Sequence, residues 1–382
     1  MMINLKKRLT NEVRFNLLLY ISLMGLLASL ILTVSAWSTT RTFPLSPIFS
    51  QFTLSPLLHN VLFVVTIIGL VISLIITQYR RLTLGISLIS LTVLIFTDIT
   101  RLQPWVLHYS AVLALFSFLI PKRYFSIPYV LDAARLIVGG IYFWAGVQKL
   151  NARFFSEIFP AVTETLSAPF GETGLKIAIL TGLFVPFVEA LFALGFFTKK
   201  FRHLAILGST TMIIIVLASL GPWGKNWNSS VWPWNFGIYG MVLVLFWGTG
   251  FSFSEFCLRQ KKNLLGWLAI SIFWLMPAGN LVGLTDHYLA WSLYSGKVPE
   301  AILLGDQVFL ESLSPSAENN SLIFQRWTMT DMNMVPYPEV RVFTNVFEQV
   351  CTDNPNQSLE LKINLFYDLT SPIPTTKSYD CN

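Results

Sequence analysis

The chain has 382 residues, 54% of them hydrophobic and only 12% charged, with a mean hydropathy of +0.61. Soluble domains carry about 25% charged residues, so a soluble globular enzyme is excluded. The net charge of +6 hides an asymmetry: residues 1–283 hold 21 Lys and Arg against 8 Asp and Glu, while 284–382 hold 5 against 12. A basic membrane body is thus followed by an acidic, water-soluble tail, and the basic sum reports orientation through short loops instead of nucleic-acid affinity.

Apolar runs of 16 to 24 residues recur along the body, each near the length a helix needs to cross ~30 Å of hydrocarbon. Lys6, Lys7, Arg8 and Arg14 precede the first, Phe15 to Trp37. Its Val34-Ser35-Ala36 resembles a signal-peptidase site, but an apolar run this long exceeds the ~7 to 15 residues of a signal-peptide core, so an uncleaved anchor is expected. Further spans are read at 57–77, 82–97, 104–120, 127–149, 174–197, 203–221, 236–256 and 264–283, nine in all.

Lys and Arg in short loops collect on the cytoplasmic side. With the N-terminus inside, the inner connections hold Arg80, Arg81, Lys122, Arg123, Lys199, Lys200, Arg202, Arg259, Lys261 and Lys262. Nine crossings then leave 284–382 outside, in the periplasm of a bacterial inner-membrane protein or the lumen for the endoplasmic reticulum. The fold expected is an all-α polytopic bundle, residues 1–283, carrying a small β-containing cap, residues 284–382.

The outer connections are rich in Trp, Pro and Asn, as at Pro222 to Trp227 and Val231 to Asn235. Trp232 and Trp234 read either as interfacial anchors or as a lid over an outward-facing cavity. In the tail, alternation at Glu339 to Phe343 and Leu359 to Ile363 predicts strands. Cys351 and Cys381 are the candidates for a disulfide there. Asn228, Asn319 and Asn356 each begin an N-x-S sequon on the outer side.

Ionisable residues inside a span are costly and therefore functional candidates, weighed against structural ion pairs. Arg135, Gly139, Tyr142, Gly146, Lys149 and Arg153 recur every three or four residues, which places them on one helical face. Glu189 follows Pro186 in the next span. Glu189 and Arg135 each lie eight residues from the inner end of their spans, about 12 Å deep. An Arg135 to Glu189 ion pair is expected from this, with Lys149 too distant for contact. Lys149 is either a snorkelling amine or, if desolvated, a general base. Asp98, Arg101, Trp105 and His108 occupy the connection expected at its depth. No paired metal-ligand spacing, phosphate-binding glycine loop or nucleophile elbow is present, so no metal is expected.

The stretch Tyr142-Phe143-Trp144-Ala145-Gly146-Val147-Gln148-Lys149-Leu150-Asn151-Ala152 resembles the vitamin K-dependent γ-glutamyl carboxylase and the wider horizontally transferred transmembrane (HTTM) family, whose pattern there is Y-F-x-A-G-V-x-K-L-x-A. The resemblance spans residues 10–290 and implies that Lys149 deprotonates a vitamin K-like or menaquinone-like quinol. Asp98 to Tyr109 is similar to the family's D-x-x-x-W-x-x-H-x-Y stretch, with longer spacing from Asp98 to Trp105 and Leu107 replacing an asparagine. That similarity implies an oxyanion-stabilising role for His108; Asp98, Arg101, Trp105, Tyr142, Trp232 and Trp234 are the residues expected around the substrate. Most of the family's large luminal part is missing. An exported protein is the implied acceptor. A looser resemblance links the same helix to DoxX-like membrane proteins, and implies instead a non-enzymatic anchor or assembly partner presenting its cap. The lack of internal repeats argues against a transporter.

Overall fold

The computed structural model describes residues 9–49 and 51–381; Lys6, Lys7 and Arg8 of the N-terminal basic cluster lie outside them. The body is built from α1 (Asn11–Leu32), α2 (Pro56–Ile75), α3 (Arg80–Phe96), α4 (Pro104–Ala114), α5 (Ile127–Gln148), α6 (Phe159–Ser167), α7 (Gly171–Phe197), α8 (Arg202–Leu220), α9 (Val231–Phe246), α10 (Phe253–Gln260) and α11 (Leu264–Ile270). The last continues through a π-turn and a 3-10 turn to Val282. Local chemistry sets several starts. The hydroxyls of Thr10 and Ser55 accept from Val13 N and Leu58 N, and Pro56 opens α2, where a missing N–H costs nothing.

Seven helices among the described residues are long and apolar enough to cross a membrane. This is the pattern of an integral membrane protein, but two expected spans are shorter than expected. The run 104–120 holds only the eleven-residue α4, and 236–256 is replaced by the sixteen-residue α9, which starts five residues earlier. Trp232 and Trp234 therefore sit in the first turn of a helix, not in a loop. Proline is tolerated there, so the Trp-Pro-Trp sequence opens a helix as readily as it ends one.

Helix α5 is the axle of the bundle, with 83% of its apolar window buried against 28–50% for the other six. Glycines let its neighbours close in. A side chain at Gly140 would meet the Phe273 carbonyl at 2.3 Å, and one at Gly146 would meet Pro186 O at 2.6 Å. The indoles of Trp144 and Trp274 cross-link the same packing by donating to Trp274 O and Leu136 O.

At one end of the bundle, arginines cap helix termini. Arg14 donates to the carbonyls of Val244 and Trp247, Arg135 to Leu245, and Arg202 to Phe196, Thr249 and Phe251. Carbonyls at a helix C-terminus lack intrahelical partners and carry partial negative charge, so guanidinium groups satisfy them.

At the opposite end lies the cap: β1 (Glu300–Leu304), α12 (Gln307–Leu313), β2 (Ser321–Ile323), α13 (Phe324–Met332), α14 (Val340–Asp353), β3 (Glu360–Leu365) and β4 (Thr375–Asp380). The antiparallel sheet has the order β2-β1-β3-β4. Leu359 to Ile363 enters strand β3, as the alternation predicts. Glu339 to Phe343 does not form a strand. It opens α14, which buries Val342, Phe343, Val346, Phe347 and Val350 on one helical face. A disulfide joins Cys351 in α14 to Cys381 just beyond β4.

The cap grips the connection after α1. Trp327 Nε1 donates to Thr42 Oγ1, Phe43 N to Asp331, Gln349 to Leu45 O, and Asn333 to Leu32 O. Of the three sequons, Asn228 is buried, donating to Tyr294 Oη and accepting from Ser230, while Asn319 and Asn356 are exposed.

Candidate functional site

Helix α5 ends at Gln148, and Lys149 is its cap residue. The Lys149 ammonium donates to Glu189 Oε2 at 2.7 Å. Arg135 is paired elsewhere, 2.5 Å from Asp132 one turn away on its own helix. Asp132 also accepts from Arg259 at 2.7 Å. The expected Arg135 to Glu189 pair is thus replaced by two others.

The reason is helix register. Equal depth assumes that the start of α5 and the end of α7 lie level, but Gly139 of α5 packs against Phe197, the last residue of α7. Twelve residues of α5 precede Gly139, an offset of about 18 Å. That offset carries Lys149 down to the level of Glu189.

The pair faces a cavity of about 970 Å³ between α5, α7 and α8. Its walls are overwhelmingly apolar, and Leu191, Leu204 and Leu207 line it while each remains 63% exposed. Side chains that both line a space and face outward make that space a groove open sideways between α7 and α8. At the cap end, α6 roofs the groove with Phe159, Val162 and Thr163. Lys225 in the α8–α9 connection holds that roof through Glu164 at 2.6 Å. A π-turn at Phe154–Ile158 precedes α6, and Gly171, at φ +54, follows it.

Of the residues expected at the site, Tyr142, Lys149 and Trp234 line the groove, joined by Glu189. His108 stands behind it, fully buried, where Nδ1 accepts from Trp234 Nε1 at 2.9 Å. Trp232 donates to Leu220 O and ties α9 to α8. Trp105 is buried in the core and is absent from the groove lining.

Asp98 and Arg101 form a separate buried cluster. Asp98 is 2.5 Å from Arg41 and accepts from Thr100 Oγ1 and Ser46 N. Arg101 donates to Ala36 O, Leu94 O and Thr97 Oγ1. Burial draws its guanidinium down to about 10 against the opposing charge of Asp98. These groups lock the α1–α2 and α3–α4 connections together, so an acid does not converge on Lys149 from that side.

Several groove residues escape sequence reading. Asn235 comes from α9, while Trp291 and Tyr294 come from the segment joining the bundle to the cap. Both aromatic residues have left-handed backbone, at φ +64 and +55, a conformation that bulky side chains rarely adopt. Burial holds the Tyr294 phenol well above its usual range, opposed by the Asn228 hydrogen bond. No sequence signal marks these positions, which reach the groove only through the tertiary fold. No group of three or more His, Cys, Asp or Glu suited to a metal gathers among the described residues.

Chemically, the arrangement offers a proton donor and acceptor in contact, set in a greasy groove reachable from the side. No family model, curated protein or solved structure matches the chain.

Proposed function

We propose that this integral membrane protein binds a quinol-like lipid in the α7–α8 groove, with the hydroxyl-bearing head at Lys149 and Glu189. The carrying observation is the ion pair on the wall of a laterally open apolar groove. A water-soluble substrate has no use for such walls, whereas an apolar ring with a tail is matched by them. In this reading Lys149 passes its proton to Glu189 and takes the proton of the quinol hydroxyl, leaving the pair with one proton more. Tyr142 and Trp234 shape the wall, and His108 acts through Trp234 by fixing its indole.

The reaction class is quinol deprotonation coupled to oxygen chemistry and to modification of an exported acceptor, as the likeness of Tyr142 to Ala152 to the HTTM and carboxylase segment implies. The orientation that fits is N-terminus in the cytoplasm and cap outside, in the periplasm or lumen. The competing reading is a DoxX-like anchor or assembly partner, favoured by the dense clasp between the cap and the first connection.

Mass spectrometry of lipids extracted from the purified protein separates the two. Quinone enriched over membrane background in wild type, reduced in Trp234→Ala, is the expected result. Quinol-dependent oxygen uptake then falls by at least about 10²-fold in Lys149→Met. Quinone at background level with a stoichiometric protein partner would establish the anchor reading instead.

A further inference from the structure

The cap has four exposed large apolar residues between positions 300 and 381: Val308, Tyr367, Leu369 and Ile373. Three of the four fall in one nine-residue loop, 366–374, between β3 and β4. Chance scatter over a soluble surface does not gather them so. Tyr367 is 70% exposed and Ile373 76%, so neither contributes to the core of the cap.

The position of this loop along the bundle axis is fixed by two contacts. Ala152 N donates to Leu369 O at 2.8 Å, four residues beyond the end of the spanning segment of α5. The Arg153 guanidinium lies 3.5 Å from the centre of the Phe366 ring. The loop is thereby held at the level where a membrane-crossing helix ends, which is the level of the headgroups.

Its backbone suits a poorly hydrated layer. Asp368 accepts from Thr370 N and Oγ1, and Ser371 Oγ accepts from Ile373 N. Pro372 and Pro374 have no N–H to satisfy, and Asp368 is the one charged residue in the loop. Donors already bonded, or absent, lower the cost of leaving water. Tyr367 adds the amphipathic ring favoured at membrane interfaces.

We infer that loop 366–374 rests in the cap-side leaflet of the same bilayer that the helices cross, with Tyr367, Leu369 and Ile373 in contact with lipid. This depends on the chain spanning a membrane and is independent of any quinol. The cap is then held at the bilayer by its own apolar loop as well as by its grip on the bundle.

The test uses the full chain in lipid nanodiscs, in a Cys257→Ser background that removes the exposed free thiol. An environment-sensitive fluorophore is placed at Ile373→Cys or, as the aqueous reference on the same cap, at Val308→Cys. The expected result is blue-shifted emission at 373, quenched by doxyl-labelled lipid at least threefold more than at 308, with the reverse order for aqueous iodide. Equal iodide access at both positions would overturn the inference. So would shielding at 373 that disappears on dilution of the nanodiscs, because a second copy would then be the covering surface.

Discussion

Lys149 Nζ and Glu189 Oε2 meet at 2.7 Å across two helices whose ends are offset by twelve residues. Removing one charge strands the other in an apolar wall. Lys149→Met or Glu189→Leu alone is expected to destabilise the fold by about 3–5 kcal/mol, whereas the two together cost far less. A double-mutant cycle on unfolding in a lipid-like environment checks this, and additive losses would contradict the pairing.

Gly146 sets the contact distance behind that pair. An added methyl would stand 2.6 Å from Pro186 O and 2.7 Å from Ala190 N, backbone atoms that cannot swing aside. Gly146→Ala is expected to cost about 1–3 kcal/mol and to prise α5 from α7. At Gly69 the obstruction at 2.2 Å is the Ser87 hydroxyl, a rotatable group. Gly69→Ala should therefore have the smaller effect on the thermal midpoint, and an equal loss at both would sink the argument.

Tyr337 gives the cap a defined alkaline limit. Burial first, and then the Asp286 carboxylate, raise its phenol far above the unfolded value of 10.0. Because the folded pKa is the higher, its stabilising contribution is complete below pH 10 and is lost as pH rises beyond it. Each such tyrosine makes stability fall by about 1.4 kcal/mol per pH unit above pH 10. Tyr337→Phe should reduce the alkaline slope by that amount relative to wild type. Unfolding curves between pH 9 and 11, followed by tyrosinate absorbance, decide the matter.

The Cys351 to Cys381 bridge closes a loop of 30 residues. Replacing both cysteines by serine should cost roughly 3–4 kcal/mol from the freed unfolded chain. Proteolysis will register the loss first at β4, an exposed edge strand. Unchanged protection of β4 after reduction would show that pairing with β3 alone suffices.

The Lys225 to Glu164 contact over the groove is half in water, with side-chain exposures of 33% and 66%. Lys225→Ala is expected to leave the thermal midpoint nearly unchanged, because an exposed ion pair contributes little. A larger drop in thermal midpoint would mean that the roof is part of the folding core.

The membrane body, the acidic tail, strand β3 and the cysteine pair were legible because each is written in local pattern or composition. Five residues around Val340 and Val342 mimic a strand, and only the longer run through Val350 reveals the helical period that wins. The pairing of Glu189 was illegible for a different reason. Its partner depends on how far α5 slides past α7, which is set by glycine contacts at positions 139 and 146 and not by distance from the helix ends. Asp132 was within reach, since an acid three residues before Arg135 on a helix is a ready partner. Trp291 and Tyr294 were not, because nothing nearby in sequence marks them as lining the groove.

The clasp between the cap and the first connection joins residues 288 and 304 positions apart, as in Phe43 with Asp331 and Leu45 with Gln349. During synthesis the segment bearing Thr42 Oγ1, Phe43 N and Leu45 O emerges early and must wait for these partners until α13 and α14 have been translated. Closure of this long-range contact is then a late event in maturation. Chains truncated before α13 should leave that segment open to proteases, even when every helix has been inserted.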